Sequence, residues 1–291
     1  MFGTNISLLY GPNGPAGTPD KASTDGMIYK LTGEWTPSDD VMFYATYSEG
    51  FRAGLLNRPG GASGPGGYTV PYAVDTDEVK NYELGWKTEL FDNSLRFNGS
   101  AFFVDIEGLQ TTIFDPSIVN LFFSDNAANA EIQGLEGDFT WAPASVDGLT
   151  IAGAFSLLDT EITEVLVPTD DVVEGSDLAF APAYQGNLRV RYEWDLEQEV
   201  AGQRLTAHVM PQIVFSDDSV SDVIEINKMD LDGYVTLGGS MGVTGDNWGA
   251  EIFASNLTNE YAELSGSFVY DRERITPMRP RTIGIRVSYD Y

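Results

Sequence analysis

The chain has 291 residues, no cysteine, and 44 acidic against 16 basic side chains, a formal net charge of −28. The missing thiols exclude a disulfide framework and a thiolate metal site, and the charge repels nucleic-acid phosphates. No run of about 18 apolar residues is present to form a helical membrane span. The slightly negative mean hydropathy is neutral toward a membrane barrel, whose apolar residues come at alternate positions.

Residues 1–26 read as an extra strand at 5–10 followed by a Gly/Pro/Asp loop. Met1 is followed by neither a basic segment nor an apolar segment of useful length, so it is not the start of a secretory signal. An outer-membrane chain needs one, so the expectation is a piece of a longer precursor. From residue 27 a regular rhythm begins. Strands are expected at 27–36, 41–51, 78–91, 95–107, 129–141, 149–160, 183–194, 204–215, 233–243, 248–257 and 280–291. Connections alternate in length. Short ones fall at 37–40, 92–94, 142–148, 195–203 and 245–247, and long ones at 52–77, 108–126, 161–182, 216–232 and 258–279. Short turns at one rim and long loops at the other are the pattern of an outer-membrane barrel. A soluble meander has no reason to keep that parity.

The strands alternate as well. Tyr82, Leu84, Trp86, Thr88 and Leu90 share one face, and Asn81, Glu83, Gly85, Lys87 and Glu89 share the other. In 188–194, Leu188, Val190, Tyr192 and Trp194 alternate with Arg189, Arg191 and Glu193. An Arg or Lys facing lipid at the midplane costs roughly 2–4 kcal/mol, so the charged faces look into a wet lumen or onto a plug. The competing architecture is a soluble, sugar-binding β-sandwich, with the apolar faces forming a dry core. Two segments read less cleanly. Residues 41–47 are apolar on both faces, and Pro211 in mid-strand suggests a bulge or a frayed pairing. Five tryptophans lie near expected strand ends, four of them by short turns, which suits an interfacial girdle.

The closing segment Arg281-Thr-Ile-Gly-Ile-Arg-Val-Ser-Tyr-Asp-Tyr291 keeps this alternation to its last residue. With Gly284, Tyr289 and Tyr291, it resembles the signal that the barrel-assembly machinery reads on bacterial outer-membrane barrels. Earlier segments point the same way: Tyr44-Ala-Thr-Tyr-Ser-Glu-Gly-Phe-Arg-Ala-Gly54, Tyr82-Glu-Leu-Gly-Trp-Lys87, Ile132-Gln-Gly-Leu-Glu-Gly137, Asn256-Leu-Thr-Asn259 and Pro280-Arg-Thr282. In kind and order they are similar to TonB-dependent receptors, over nearly all of the chain from about Thr24. The resemblance implies an all-β fold, a transmembrane antiparallel β-barrel. It would contribute about 11–12 strands of a 22-stranded barrel at 27–291, without the plug domain. It also implies a site in the bacterial outer membrane, no cofactor and no enzymatic role. The expected partners are outer-membrane lipid, the assembly machinery, the TonB complex through the plug, and a small ligand such as a ferric siderophore.

For ligand contact, the Gly/Pro-rich loop 52–77 offers Arg52, Arg58, Tyr68 and Tyr72, residue types that stack on and hydrogen-bond an aromatic, anionic chelate. The last long loop offers Arg272 and Arg274, which Asp271 and Glu273 are equally placed to pair. The carboxylates of 161–182 and 216–232 lack the spacing of a calcium loop and read as a solvated acidic rim. The single histidine, His208, has no nucleophile motif beside it and reads as lumen-facing. The alternative function is a self-contained barrel of about twelve strands, serving as a channel, enzyme or translocator.

Overall fold

The computed structural model describes residues 21–57, 60–63, 67–114, 122–200, 202–268 and 272–290. Eleven strands form one antiparallel meander in which each strand pairs with its sequence neighbours. They are β1 (Lys30–Ser38), β2 (Val41–Arg52), β3 (Asp77–Leu90), β4 (Leu95–Phe114), β5 (Phe122–Trp141) and β6 (Leu149–Val165). β7 (Tyr184–Val200), β8 (Gln203–Ser216), β9 (Tyr234–Thr244), β10 (Trp248–Ser255) and β11 (Thr282–Tyr289) complete it. The expected extra strand at 5–10 lies outside the described residues. No α-helix occurs among the described residues, and a 3₁₀ turn lies at Glu225–Asn227.

The apolar face is legible as rows across the sheet. Gly33, Ala45, Leu84, Ala101, Leu135, Leu157 and Tyr184 stand directly opposite one another from β1 to β7. Tyr192, Val209, Met241, Ile252 and Ile285 continue the face from β7 to β11. Nothing covers it: Leu84 is 65% exposed and Ile285 74%. The three other sheets are two-stranded ribbons within the long loops. A sandwich is thereby excluded for the described residues, since no second sheet lies on this face. An uncovered apolar surface spanning eleven strands requires lipid.

The opposite face is polar. Its main row runs Tyr44, Gly85, Ser100, Glu136, Ser156, Gln185, Ser216 and Tyr234. This settles the register of β2: Val41, Phe43, Ala45 and Tyr47 face out with Thr88, Trp86, Leu84 and Tyr82, and Met42, Tyr44 and Thr46 face in. Tyr44 is admitted because Gly85 lies opposite and leaves room. A Cβ there would fall 2.1 Å from the phenol ring, whose hydroxyl donates to Glu83 at 2.5 Å. Trp86 lies over Gly99 in the same way on the apolar side.

The first and last of eleven antiparallel strands run in the same direction. β1 and β11 are therefore barred from closing the sheet as antiparallel neighbours, and closure takes an odd number of further strands. Three expectations are corrected. The long connection at 108–126 is mostly strand, since β4 runs to Phe114 and β5 starts at Phe122. The short connection at 195–203 is likewise strand up to Val200 and from Gln203. Pro211 carries no bulge, since Val209 opposite Tyr192 and Gln212 opposite Arg189 keep one register and the shift lies at Arg204–Thr206. The pairing is frayed there, however, Met210 and Pro211 having no ladder partner on β7. Of the five tryptophans, Trp35, Trp141 and Trp194 are exposed on the apolar face, whereas Trp248 donates its indole N–H to Gln203 at 3.0 Å.

Candidate functional site

Above the apolar rows, β4, β5 and β6 project further, and the long loops pack against their tips. Val70, Ile113, Phe123, Ala127, Ile162, Val172 and Ile224 form a dry cluster there, drawn from three loops and three strand ends. Apolar burial, which stabilises by about 25 cal/mol per Å² removed from water, therefore concentrates in this cap. The loops interlock through their backbones. Phe180 N–H donates to the Val220 carbonyl at 2.8 Å, and Glu225 N–H to the Asp171 carbonyl at 2.7 Å. Within the cap, burial raises the pKa of Asp222, whose Oδ1 accepts the Ile224 N–H at 3.0 Å.

The loop between β2 and β3 is held by side-chain amides. Asn126 donates to the carbonyls of Asp75 at 3.1 Å and Gly108 at 2.7 Å. Gln110 donates to Asp75 at 2.8 Å. Asn57 donates to Pro71 at 2.9 Å and Ser124 at 2.7 Å, while its own oxygen accepts the Ser124 N–H at 2.9 Å. Each amide satisfies backbone groups that a loop lifted off a sheet would leave unpaired.

The expected contact residues separate into two groups. Arg52 ends β2, with its N–H donating to Asp77 Oδ1 at 2.8 Å and its Nε to Oδ2 at 2.5 Å. Asp77 is 1% exposed, so this pair neutralises a buried carboxylate. Tyr68 is partly buried against Phe123, and its hydroxyl donates to Asp125. Burial first, then that carboxylate, holds the phenol protonated well above its ordinary range. Tyr72 packs over Gly60 and Gly61. Arg58 lies outside the described residues.

Arg272 and Arg274 belong to the second group. They are exposed beside and on a ribbon made of Glu263–Phe268 and Glu273–Pro277. Neither has an ion pair among the described residues. Among the same residues, no three acidic or histidine side chains converge to hold a metal. His208 faces the polar side, 3.3 Å from Glu251, which also takes Arg286. Gly284 lies under the Phe253 ring, Tyr289 accepts a hydrogen bond from Asn247 at 3.3 Å, and Tyr291 lies outside the described residues. The residues that sequence reasoning missed are Asn57, Asp77, Gln110, Asp125 and Asn126. Asparagine and glutamine near loop ends are common, and only the fold shows which carbonyls they reach.

A curved wall with lipid outside, polar rows inside and packed loops on one rim defines an outer-membrane β-barrel protein. The chain belongs to the TonB dependent receptor-like, beta-barrel family, whose model matches residues 7–259. The metal-pseudopaline receptor CntO of Pseudomonas aeruginosa strain UCBPP-PA14 is 26% identical over 263 residues, covering 88% of this chain and 33% of the relative. The chain thus spans about a third of that curated relative's length. The ferric yersiniabactin uptake receptor FyuA from Yersinia pestis superposes with a TM-score of 0.66 at 17% identity, over 90% of this chain and 37% of that one. The siderophore receptor PiuA from Acinetobacter baumannii gives 0.65 at 19% identity, over 91% and 36%. These two likenesses bear on the fold alone. The relatives are receptors and not enzymes, and the family's place is the bacterial outer membrane.

Proposed function

We propose that this chain is part of the wall and outer loops of a receptor that captures a ferric siderophore and imports it with TonB-derived energy. The observation that carries the reading is the pairing of a polar-lined wall with a packed outer cap beside which the exposed Arg272 and Arg274 project. Both, without an ion pair among the described residues, would meet an anionic chelate through charge-assisted hydrogen bonds. Tyr72 and Arg58 are kept as further contacts. Arg52 and Tyr68 act through the shape of their loop, since Asp77 and Asp125 occupy them. The name of the curated relative, a metal-pseudopaline receptor, supports a metal-bearing ligand. The plug that would relay TonB energy belongs to the rest of the receptor. Gly284, Tyr289 and Tyr291 are proposed as the assembly signal.

Uptake of radioiron as ferric chelates by cells expressing the receptor, with and without a functional TonB complex, tests this. Energy-dependent uptake that falls about tenfold or more in an Arg272→Ala/Arg274→Ala double variant is expected, each lost charged hydrogen bond being worth roughly 1.5–3 kcal/mol. Uptake that persists without TonB would favour the channel reading instead. Import of another metal's chelate in place of the ferric one would replace the ligand.

A further inference from the structure

Where the tips of β7, β8 and β9 meet the last three long loops, the polar face ends in a cavity of about 150 Å³. At about 30 Å³ per water, that holds one substituted six-membered ring. Gln185 and Tyr234, the last stations of the main polar row, form the side toward the lumen. Phe180 forms part of the outer side. Its backbone is fixed in the left-handed region at φ 57°, uncommon for a bulky residue, and its N–H is tied to Val220. Yet the residue is 50% exposed. The anchored backbone thus presents an apolar ring to an open cavity.

Beside the hydroxyls of Ser216 and Ser219, the charged lining only accepts hydrogen bonds. Asp232 and Glu263 border the cavity with Asp217, whose carboxylate already accepts the Tyr184 hydroxyl, and no cation among the described residues pairs with any of the three. Because no three acidic groups converge on one point, the lining does not suit a bare ion. Separated acceptors beside an aromatic ring suit a polyatomic group with several N–H or O–H donors, stacked on Phe180. Arg274 lies opposite Ser267, four residues along the ribbon strand from Glu263, or about 13 Å at the strand rise.

We propose that this cavity is a subsite for an amine- or hydroxyl-bearing ring of the imported ligand, apart from its anionic portion. It rests on the receptor reading above and divides the ligand between two stations: donors at the cavity, negative charge at the ribbon.

The test uses the full receptor in detergent with two ring probes, tyramine and 4-hydroxyphenylacetate, compared by saturation-transfer NMR. The ammonium-bearing probe is expected to receive at least fivefold more saturation. Phe180→Gly, which removes the ring and relieves the backbone, and Asp232→Asn are each expected to lower it at least threefold. Heat-modifiable migration checks that both variants fold. Equal saturation of the two probes, or no change in either variant, overturns the subsite. Radioiron uptake separates the two readings. Selective tyramine binding without uptake supports the subsite and sinks the receptor reading. Uptake unchanged by both substitutions does the reverse.

Discussion

Leu84 and Val70 are both apolar, yet Leu84 on the wall is 65% exposed and Val70 in the cap is 0% exposed. The wall has no dry core. Its strands are held by the hydrogen-bonded ladder, and its outer side chains meet lipid, where every backbone polar group has to be paired within the sheet. The cap is built like a small soluble domain, with an apolar cluster, a buried amide at Asn57 and a buried carboxyl at Asp77. The two regions should therefore fail differently: steric change breaks the wall, whereas loss of polar partners loosens the cap.

The largest effect is expected at Gly99. A Cβ there would lie 2.3 Å from the Trp86 ring and 2.7 Å from the Glu136 carbonyl oxygen, so the backbone itself must move. Gly99→Val should abolish most of the heat-modifiable, folded receptor, at the upper end of the roughly 1–3 kcal/mol typical of overpacking. Gly50→Ala, where nothing lies within 4 Å, should leave the folded fraction unchanged. Equal loss in both would mean that ring-over-glycine contacts do not hold the wall.

Asn126 tests the cap. Asn126→Ala leaves the Gly108 carbonyl without its side-chain donor and the Asp75 carbonyl to Gln110 alone. About 0.5–1.5 kcal/mol should be lost locally, the usual net worth of a hydrogen bond between part-exposed groups. Limited proteolysis should then cut the loop after β2 faster, with the wall's thermal transition unmoved. A transition lowered together with the loop would show that cap and wall unfold as one unit.

What the residues disclosed follows the same division. On the wall, lipid on one side and water on the other force alternation, so Tyr82–Leu90 and Leu188–Trp194 read correctly and loop parity gave the topology. Where both sides are wet the signal ends. Asp105, Glu107, Gln110, Thr111 and Thr112 show no period, so the upper part of β4 passed for loop. The register at Met42–Tyr47 was hidden because a ring faces inward over Gly85, a contact visible only across strands. The cap cluster was hidden because Val70, Val172 and Ile224 come singly from loops rich in Gly, Pro and Asp, with no shared spacing. Arg52 and Tyr68 had the chemistry of ligand contacts but were already paired, by an aspartate 25 residues away and another 57 residues away.

A smaller effect concerns pH. The pKa of Asp222 is raised mainly by burial, so the folded cap binds that proton more tightly than the opened cap does. The stabilisation is full below the ordinary value of 3.8 and is lost as pH rises through the raised value. Hydrogen exchange of the cap amides, corrected for intrinsic rates, should show protection falling over that window. Asp222→Asn keeps an oxygen for the Ile224 N–H, and its protection should stay level with pH. A pH-dependent variant would assign the titration to another group.

The smallest expected effect marks where wall becomes cap. Directly above the aromatic row Tyr47, Tyr82 and Phe103, the outward positions read Glu49, Lys80, Asp105, Glu131 and Glu161. Glu131 stands between two acids, Asp105 and Glu161, and like charges directly opposite destabilise a sheet by roughly 0.2–1 kcal/mol. Such a row is tolerable in hydrated headgroups and costly in hydrocarbon, so on β2 to β4 the membrane's outer boundary should lie between it and the three rings. It should lie lower on β5 and β6, where the ring row continues as Gln133 and Asp159. Glu131→Gln should raise the thermal midpoint slightly at low salt, and the gain should shrink as added salt screens the repulsion. A gain that is large and indifferent to salt would place Glu131 in the hydrocarbon instead. The boundary would then move up the strands, and part of what is read here as cap would belong to the wall.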